Sequence, residues 1–256
     1  SGKTTTLYAF LRKLYNPDIN VITIEDPIEY HIKGITQTQT NQDKGYTFAE
    51  GLKSILRQDP DVIMVGEIRD RDTAEIAVQS SLTGHMVLST IHTNNAAGVI
   101  PRLIDLGVNP KILVSALSLA MAQRLVRVLC TVCKKETEAT EEQSATIKTI
   151  LEEMRAENKD LSKHNVNGDA PVRLYTPVGC PDCNNTGYKG RIGIFEAIKN
   201  DAEIEKIIPE NPSEREIKEI ADKQGILSMR QDGVVKILNG ITSFAEVVSV
   251  VDLGEK

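Results

Sequence analysis

The sequence lacks an excess of positive charge, a long apolar run, an internal repeat and a low-complexity tract. Its 30 Lys and Arg are outnumbered by 36 Asp and Glu, giving a net charge of −6 and a pI near 5.4, so it does not carry the charge of a protein that coats nucleic acid. The longest nearly apolar stretch, Ile112 to Ala122, is broken by Ser115 and Ser118 and falls well short of the roughly 20 residues of a membrane-spanning helix. A protein that stays in water is expected. Tryptophan is absent and cysteine occurs only four times, in two close pairs. What remains is ordinary: 256 residues, 40% hydrophobic and 26% charged, enough for one large domain or two modest ones. The chain opens on Ser1 inside a motif, so it is read as a piece of a longer protein.

Three β-branched runs, Asn20-Val-Ile-Thr-Ile24, Val62-Ile-Met-Val65 and Met86-Val-Leu-Ser-Thr-Ile91, predict buried parallel strands. Between them lie helical patterns with start signals at Thr47 with Glu50 and at Asp72 with Glu75, the first lined by Phe48, Leu52, Ile55 and Leu56. Alternating strands and helices imply an open, mainly parallel α/β sheet whose ligands sit at the carboxyl ends of its strands. Residues 32–40 read as an extended side hairpin. Beyond Pro110 the pattern is mostly helical through Leu129, then charged from Lys134 to Lys163, where Ile147, Ile150, Leu151 and Met154 form a narrow stripe expected to decorate a solvated helix. Residues 165–171 read as loop. A strand over residues 192–197 leads into a helical end with capping signals at Ser213 with Glu216 and Ser243 with Glu246.

The chemistry-bearing residues fall at the ends of these elements. Ser1-Gly-Lys-Thr-Thr5 before an apolar helix is the second half of a phosphate-binding loop. In such a loop N–H groups at a helix start cradle phosphates, Lys3 reaches the β and γ phosphates, and Thr4 ligates magnesium. Asp61-Val-Ile-Met-Val-Gly-Glu67 is a buried strand ending in an acid suited to the magnesium shell. Ile24-Glu-Asp-Pro-Ile-Glu29 sets Glu25, Asp26 and Glu29 at another strand end, where one carboxylate could orient water. His85 and His92 bracket the third strand and suit the sensing of a γ-phosphate.

Taken in order, these four segments resemble the Walker A, aspartate-box, Walker B and histidine-box motifs of the secretion ATPase superfamily. The likeness runs from Ser1 to about Val250. Gln123-Arg-Leu-Val-Arg-Val-Leu-Cys130 and Gly190-Arg-Ile-Gly-Ile-Phe-Glu196 resemble its type II secretion and type IV pilus-assembly branch, as do the four cysteines. The resemblance implies a RecA-like P-loop ATPase core, truncated at its start, over residues 1–129. A tetracysteine zinc module with a helical insertion would follow at 130–190, and a mainly helical C-terminal subdomain at 191–256. It further implies a hexameric ring, cytoplasmic and peripheral to the inner membrane, whose ATP hydrolysis moves an inner-membrane platform protein. No specific nucleic acid is expected. ATP and Mg2+ would be held by Ser1, Gly2, Lys3, Thr4 and Thr5, together with Asp26 and Glu29 of the acidic box. Glu25 would polarise water, Glu67 would serve the metal shell, and His85 and His92 would sense nucleotide. The choice among Glu25, Asp26 and Glu29 stays open, and Arg57, Arg69 and Arg71 receive no role. The first glycine of the loop and its strand lie upstream of Ser1, so weak nucleotide binding is expected of this stretch alone.

Cys130-Thr-Val-Cys133 and Cys180-Pro-Asp-Cys183 have the spacing of two zinc knuckles. Disulfides are the alternative, and the reducing compartment of an ATP-driven motor disfavours them. Four cysteines leave zinc no open position, which makes the expected metal structural. Two other functions share parts of the pattern: a DNA-uptake or conjugation ATPase, and a zinc-ribbon nucleic-acid module. The second needs basic residues interleaved with aromatics, and only Tyr188, Lys189 and Arg191 lie near Cys183.

Overall fold

The structure is a computed structural model that describes residues 2–164, 166 and 172–254. The expected loop at 165–171 lies, Val166 apart, outside the described residues. The chain divides into two compact units, one of Gly2–Ala120 with Lys199–Ile217, the other of Met121–Ile198 with the residues from Lys218 onward.

The first unit holds α1 (Lys3–Leu14), β1 (Val21–Glu25), β2 (Thr36–Gln39), α2 (Phe48–Ile55), β3 (Val62–Ile68), α3 (Arg71–Leu82), β4 (Met86–Ile91), α4 (Val99–Asp105) and α5 (Pro110–Ala116). The strands form one parallel sheet in the order β2-β1-β3-β4. Every residue of β1 is buried, as is nearly all of β3, which is why their sequences run apolar without alternation. Alternating side chains of β1 point to opposite faces. Val21 joins Val62 and Met64 under Tyr8 and Leu11 of α1, while Ile24 packs against Gly51 of α2. The expected side hairpin at 32–40 is instead β2, an edge strand paired in parallel with β1 from Ile22↔Thr36 to Glu25↔Gln39. The alternating Thr-Gln-Thr-Gln fits an edge because one flank faces solvent, a difference local pattern does not reveal.

Helix starts follow side-chain chemistry. Thr47 accepts the Glu50 N–H at 3.3 Å and opens α2 as its spacing predicts. α3 begins two residues before the expected signal, because Asp70 accepts the Thr73 N–H at 2.8 Å.

The second unit contains β5 (Leu119–Leu129, from Met121 onward), β6 (Lys135–Glu138), α6 (Glu141–Ala156), β7 (Arg173–Thr176) and β8 (Tyr188–Lys199, up to Ile198). α7 (Ala202–Ile207) belongs to the first unit, α8 (Glu214–Ala221) begins there, and α9 (Met229–Leu238) and α10 (Phe244–Val248) complete the second. β5 pairs with β8, and β6 is antiparallel to β7. Two expectations are corrected here. Residues 119–129 are a strand rather than the end of a helix, and the stripe on α6 is core rather than decoration. Ile147, Ile150 and Met154 are fully buried and Leu151 nearly so, sharing one cluster with Ile194, Val234, Ile237 and Val247. The buried Lys159 fastens this helix to α9, its Nζ 2.6 Å from Glu157 and 2.7 Å from Gln231 Oε1. Ser213 and Ser243 each accept the N–H of the glutamate three residues on, as the sequence predicts for α8 and α10.

Candidate functional site

Parallel strands bring their carboxyl ends to one edge, and the order β2-β1-β3-β4 places the reversal of connection between β1 and β3. Ligands of open α/β sheets bind at such a point. Glu25 ends β1, Glu67 lies near the end of β3, and His92 follows β4. Lys3, the first residue of α1, reaches the same edge, its Nζ 3.4 Å from the carbonyl of Ile91. The Gly2 carbonyl accepts the Thr6 N–H at 3.0 Å, closing the first turn. Thr4 is half-buried and Thr5 exposed in that turn; Ser1 lies outside the described residues.

Glu67 is aimed by an irregularity. Val65 pairs with Ser89 but Ile68 pairs with Ile91, so β3 carries one residue more than β4 across this interval. Such a bulge bends its strand and redirects a side chain. Gly66 makes the close approach to β1 tolerable: a Cβ there would lie 3.3 Å from the Ile24 carbonyl oxygen. Thr90 Oγ1 donates to the Gly66 carbonyl at 2.8 Å and secures the kink. Glu67 then offers one oxygen to Arg69 and the other to His92 Nε2 at 3.0 Å.

Glu25 is buried at 2% exposure and bound by neutral donors. Tyr8 donates to Oε2, while Thr23 Oγ1 at 2.5 Å and Gln37 Nε2 at 3.0 Å donate to Oε1. Burial pushes the Tyr8 hydroxyl up to about 12, helped by the hydrogen bond to Glu25 and its charge. Asp26 and Glu29 are exposed beside it.

His85 is not brought to this edge. It precedes β4 and so lies at the amino end of the sheet, its Nδ1 3.0 Å from the Ser80 carbonyl and 3.1 Å from Thr83 Oγ1. Two histidines bracketing a six-residue strand are necessarily about 20 Å apart. Of the arginines, Arg71 is engaged with Glu75 at 2.7 Å and Arg57 is exposed.

In the second unit the four cysteine sulfurs all lie within 4.8 Å of one another. Zinc with four thiolates at about 2.3 Å requires sulfurs about 3.8 Å apart. The pairs Cys130–Cys180, Cys133–Cys183 and Cys180–Cys183 stand at 3.9, 3.8 and 3.7 Å, and no cysteine is in a disulfide. The donor set therefore fits. Gly179 N–H points at Cys133 Sγ at 3.3 Å, and those of Cys180 and Gly187 point at Cys183 Sγ at 3.2 Å. Burial pushes the Cys180 thiol up, whereas Cys183, despite burial, is drawn below the ordinary thiol range by those N–H groups. Gly187, at φ +75°, passes so close to Pro177 that a Cβ would stand 2.3 Å from it. Two tyrosines near the cluster each carry a cation over one ring face: Arg127 lies 4.1 Å over Tyr188 and Lys134 4.6 Å over Tyr175.

The family described as Type II/IV secretion system protein matches residues 1–249. The chain belongs to that family. It is 49% identical over 250 residues to type II secretion system protein E of Pseudomonas aeruginosa, covering 98% of this chain and 46% of that protein. It is 46% identical over 249 residues to the type IV pilus assembly ATPase PilB of Thermus thermophilus, covering 97% and 26%. The chain thus spans less than half the length of these relatives. Among solved structures it resembles the pilus retraction motor PilT with bound ADP, with a TM-score of 0.65, 24% identity, and 98% and 58% of the two chains covered. It also resembles the Legionella pneumophila ATPase DotB, with a TM-score of 0.63, 21% identity, and 97% and 56% covered. These likenesses establish that the chain shares its fold with PilT and DotB.

Set in this family, the residues that motif reading missed are the ones around Glu25. Tyr8 is hidden in the apolar pattern of α1, and Gln37 in the segment taken for a hairpin. Only Thr23 carried a signal, since a strand period of two puts it on the same face as Glu25.

Proposed function

We propose that this chain is the nucleotide-hydrolysing core of a motor that powers type IV pilus assembly or type II protein secretion. The observation that carries this reading is the convergence of Lys3, Glu25, Glu67 and His92 on one edge of a parallel sheet, in a member of the secretion family. The first turn of α1 would take the phosphates, with N–H groups at the helix start and the Lys3 charge acting together. Thr4 and Glu67 supply hard oxygen ligands that suit magnesium, which would neutralise phosphate charge when bound. Glu25 accepts hydrogen bonds as a carboxylate and would orient the attacking water; Asp26 and Glu29 are its exposed neighbours. His92, by touching Glu67, would link the phosphate to β4.

The tetracysteine cluster is read as a structural zinc site held by Cys130, Cys133, Cys180 and Cys183. As the family resemblance implies, the intact protein would assemble into a hexamer at the cytoplasmic face of the inner membrane and act on a platform protein there. In this reading the first unit, Gly2–Ala120 with Lys199–Ile217, is the ATPase core, and the second unit carries the zinc site.

The test is a pair of substitutions in the intact protein. Lys3→Ala is expected to abolish nucleotide binding or turnover, whereas Glu67→Gln leaves binding and slows hydrolysis by about 100-fold or more, as loss of transition-state charge stabilisation does. Wild-type turnover by Glu67→Gln with magnesium present would overturn the assignment.

A further inference from the structure

Tyr8 is fully buried on α1, its ring edge-on to Tyr30 with centroids 4.7 Å apart. Packing alone would be served by phenylalanine. The hydroxyl, however, is a hub: it donates to Glu25 and accepts the Glu29 N–H at 3.3 Å and Gln37 Nε2 at 3.4 Å. Gln37 is itself fixed, its Oε1 accepting the Ile32 N–H at 2.7 Å. Donors from α1, β1 and β2 therefore converge on one carboxylate.

We propose that Tyr8 is a positioning residue for hydrolysis, which with Thr23 and Gln37 ties the Glu25 carboxylate to the phosphate-binding helix and keeps it aimed. The inference rests on the reading of Glu25 as the acid that orients water. A carboxylate at 2% exposure needs hydrogen-bond donors in place of water, and Tyr8, Thr23 and Gln37 supply three. Tyr8 suits the role because its own hydroxyl, at about 12, keeps its proton throughout the working pH range. The same tie makes the position of the acid depend on that of α1, whose first turn carries Lys3. A nucleotide that orders that turn would order the acid with it.

The experiment measures kcat and KM for ATP in the intact protein, for Tyr8→Phe, Thr23→Val and Glu25→Gln. Tyr8→Phe is expected to lower kcat about tenfold, as loss of one hydrogen bond to a charged group does, with KM within about twofold. Thr23→Val should lower kcat with the same split. A purely structural tyrosine would disturb nucleotide binding as much as turnover, so wild-type kcat in Tyr8→Phe, or a loss of kcat matched by a comparable rise in KM, overturns the proposal. If Glu25→Gln turns over like the wild type, the assignment of Glu25 fails and the positioning role falls with it. If Glu25→Gln is inactive but Tyr8→Phe and Thr23→Val keep the wild-type kcat, only the positioning role fails. Should Tyr8→Phe not fold, Gln37→Leu, on the edge strand, reads the same split with the ring intact.

Discussion

At the residue scale, buried and half-buried charges are held by named partners. Glu246 follows Ser243 in α10 and accepts two bonds from Arg127, one from its backbone N–H at 2.9 Å and one from its guanidinium at 2.5 Å. The guanidinium bond is the main reason the Glu246 carboxyl sits below the usual glutamate range, against the opposing effect of burial. A carboxyl lowered in the folded state contributes stability that is complete above its unfolded value, about 4.3, and is lost as pH falls through the lower folded value. Glu246→Gln is therefore expected to be less stable than the wild type at neutral pH, with the gap closing in acid. Denaturant titrations at a series of pH values check this; a gap that widened in acid would contradict it.

At the scale of elements, α6 shows how a polar-looking helix can carry core. Its start is well determined by Thr140 and Gln143, whose side chains and backbones satisfy each other at 3.2 and 3.0 Å. Its stripe of Ile147, Ile150, Leu151 and Met154 is narrow because both flanks face water, yet all four are buried. Ile150→Ala should cost about 2–5 kcal/mol of the stability of the second unit, the usual cost of such a cavity. If thermal unfolding showed no change, the helix would be the decoration its charge suggests. β5 is the reverse case. Leu, Ala, Met, Gln and Arg are good helix formers, and residues 119–129 are rich in them. Pairing with β8 overrides that preference, because a strand's conformation is fixed by neighbours distant in sequence.

At the scale of the molecule, the zinc reading makes the second unit depend on a bond the first does not use. The cysteines come from the end of β5 and from the segment leading into β8, so a metal would clip together the two strands that pair. Because binding free energy adds to the stability of the folded state, chelation or Cys180→Ser should loosen the second unit first and disturb nucleotide binding at Lys3 less. Elemental analysis should find one zinc per chain. Well under one equivalent, with four freely titrating thiols in folded protein, would assign the cysteines another purpose. Among the described residues no helix is long and apolar enough to cross a membrane.

The sequence by itself determined whatever depends on near neighbours. It specified three of the four strands of the parallel sheet, the cap residues Thr47, Ser213 and Ser243, the two cysteine knuckles, and the acids and lysine at element ends, since each follows from spacing along a few residues. Tertiary structure decided what depends on meeting across the fold. It turned residues 36–39 into a sheet edge, 119–129 into a strand and the α6 stripe into core. It inserted the extra residue in β3 that aims Glu67, carried His85 to the far end of the sheet from His92, and closed Tyr8 and Gln37 on Glu25. Hydrogen bonds and burial between distant segments are fixed only when those segments pack, and no local period records which of them will meet.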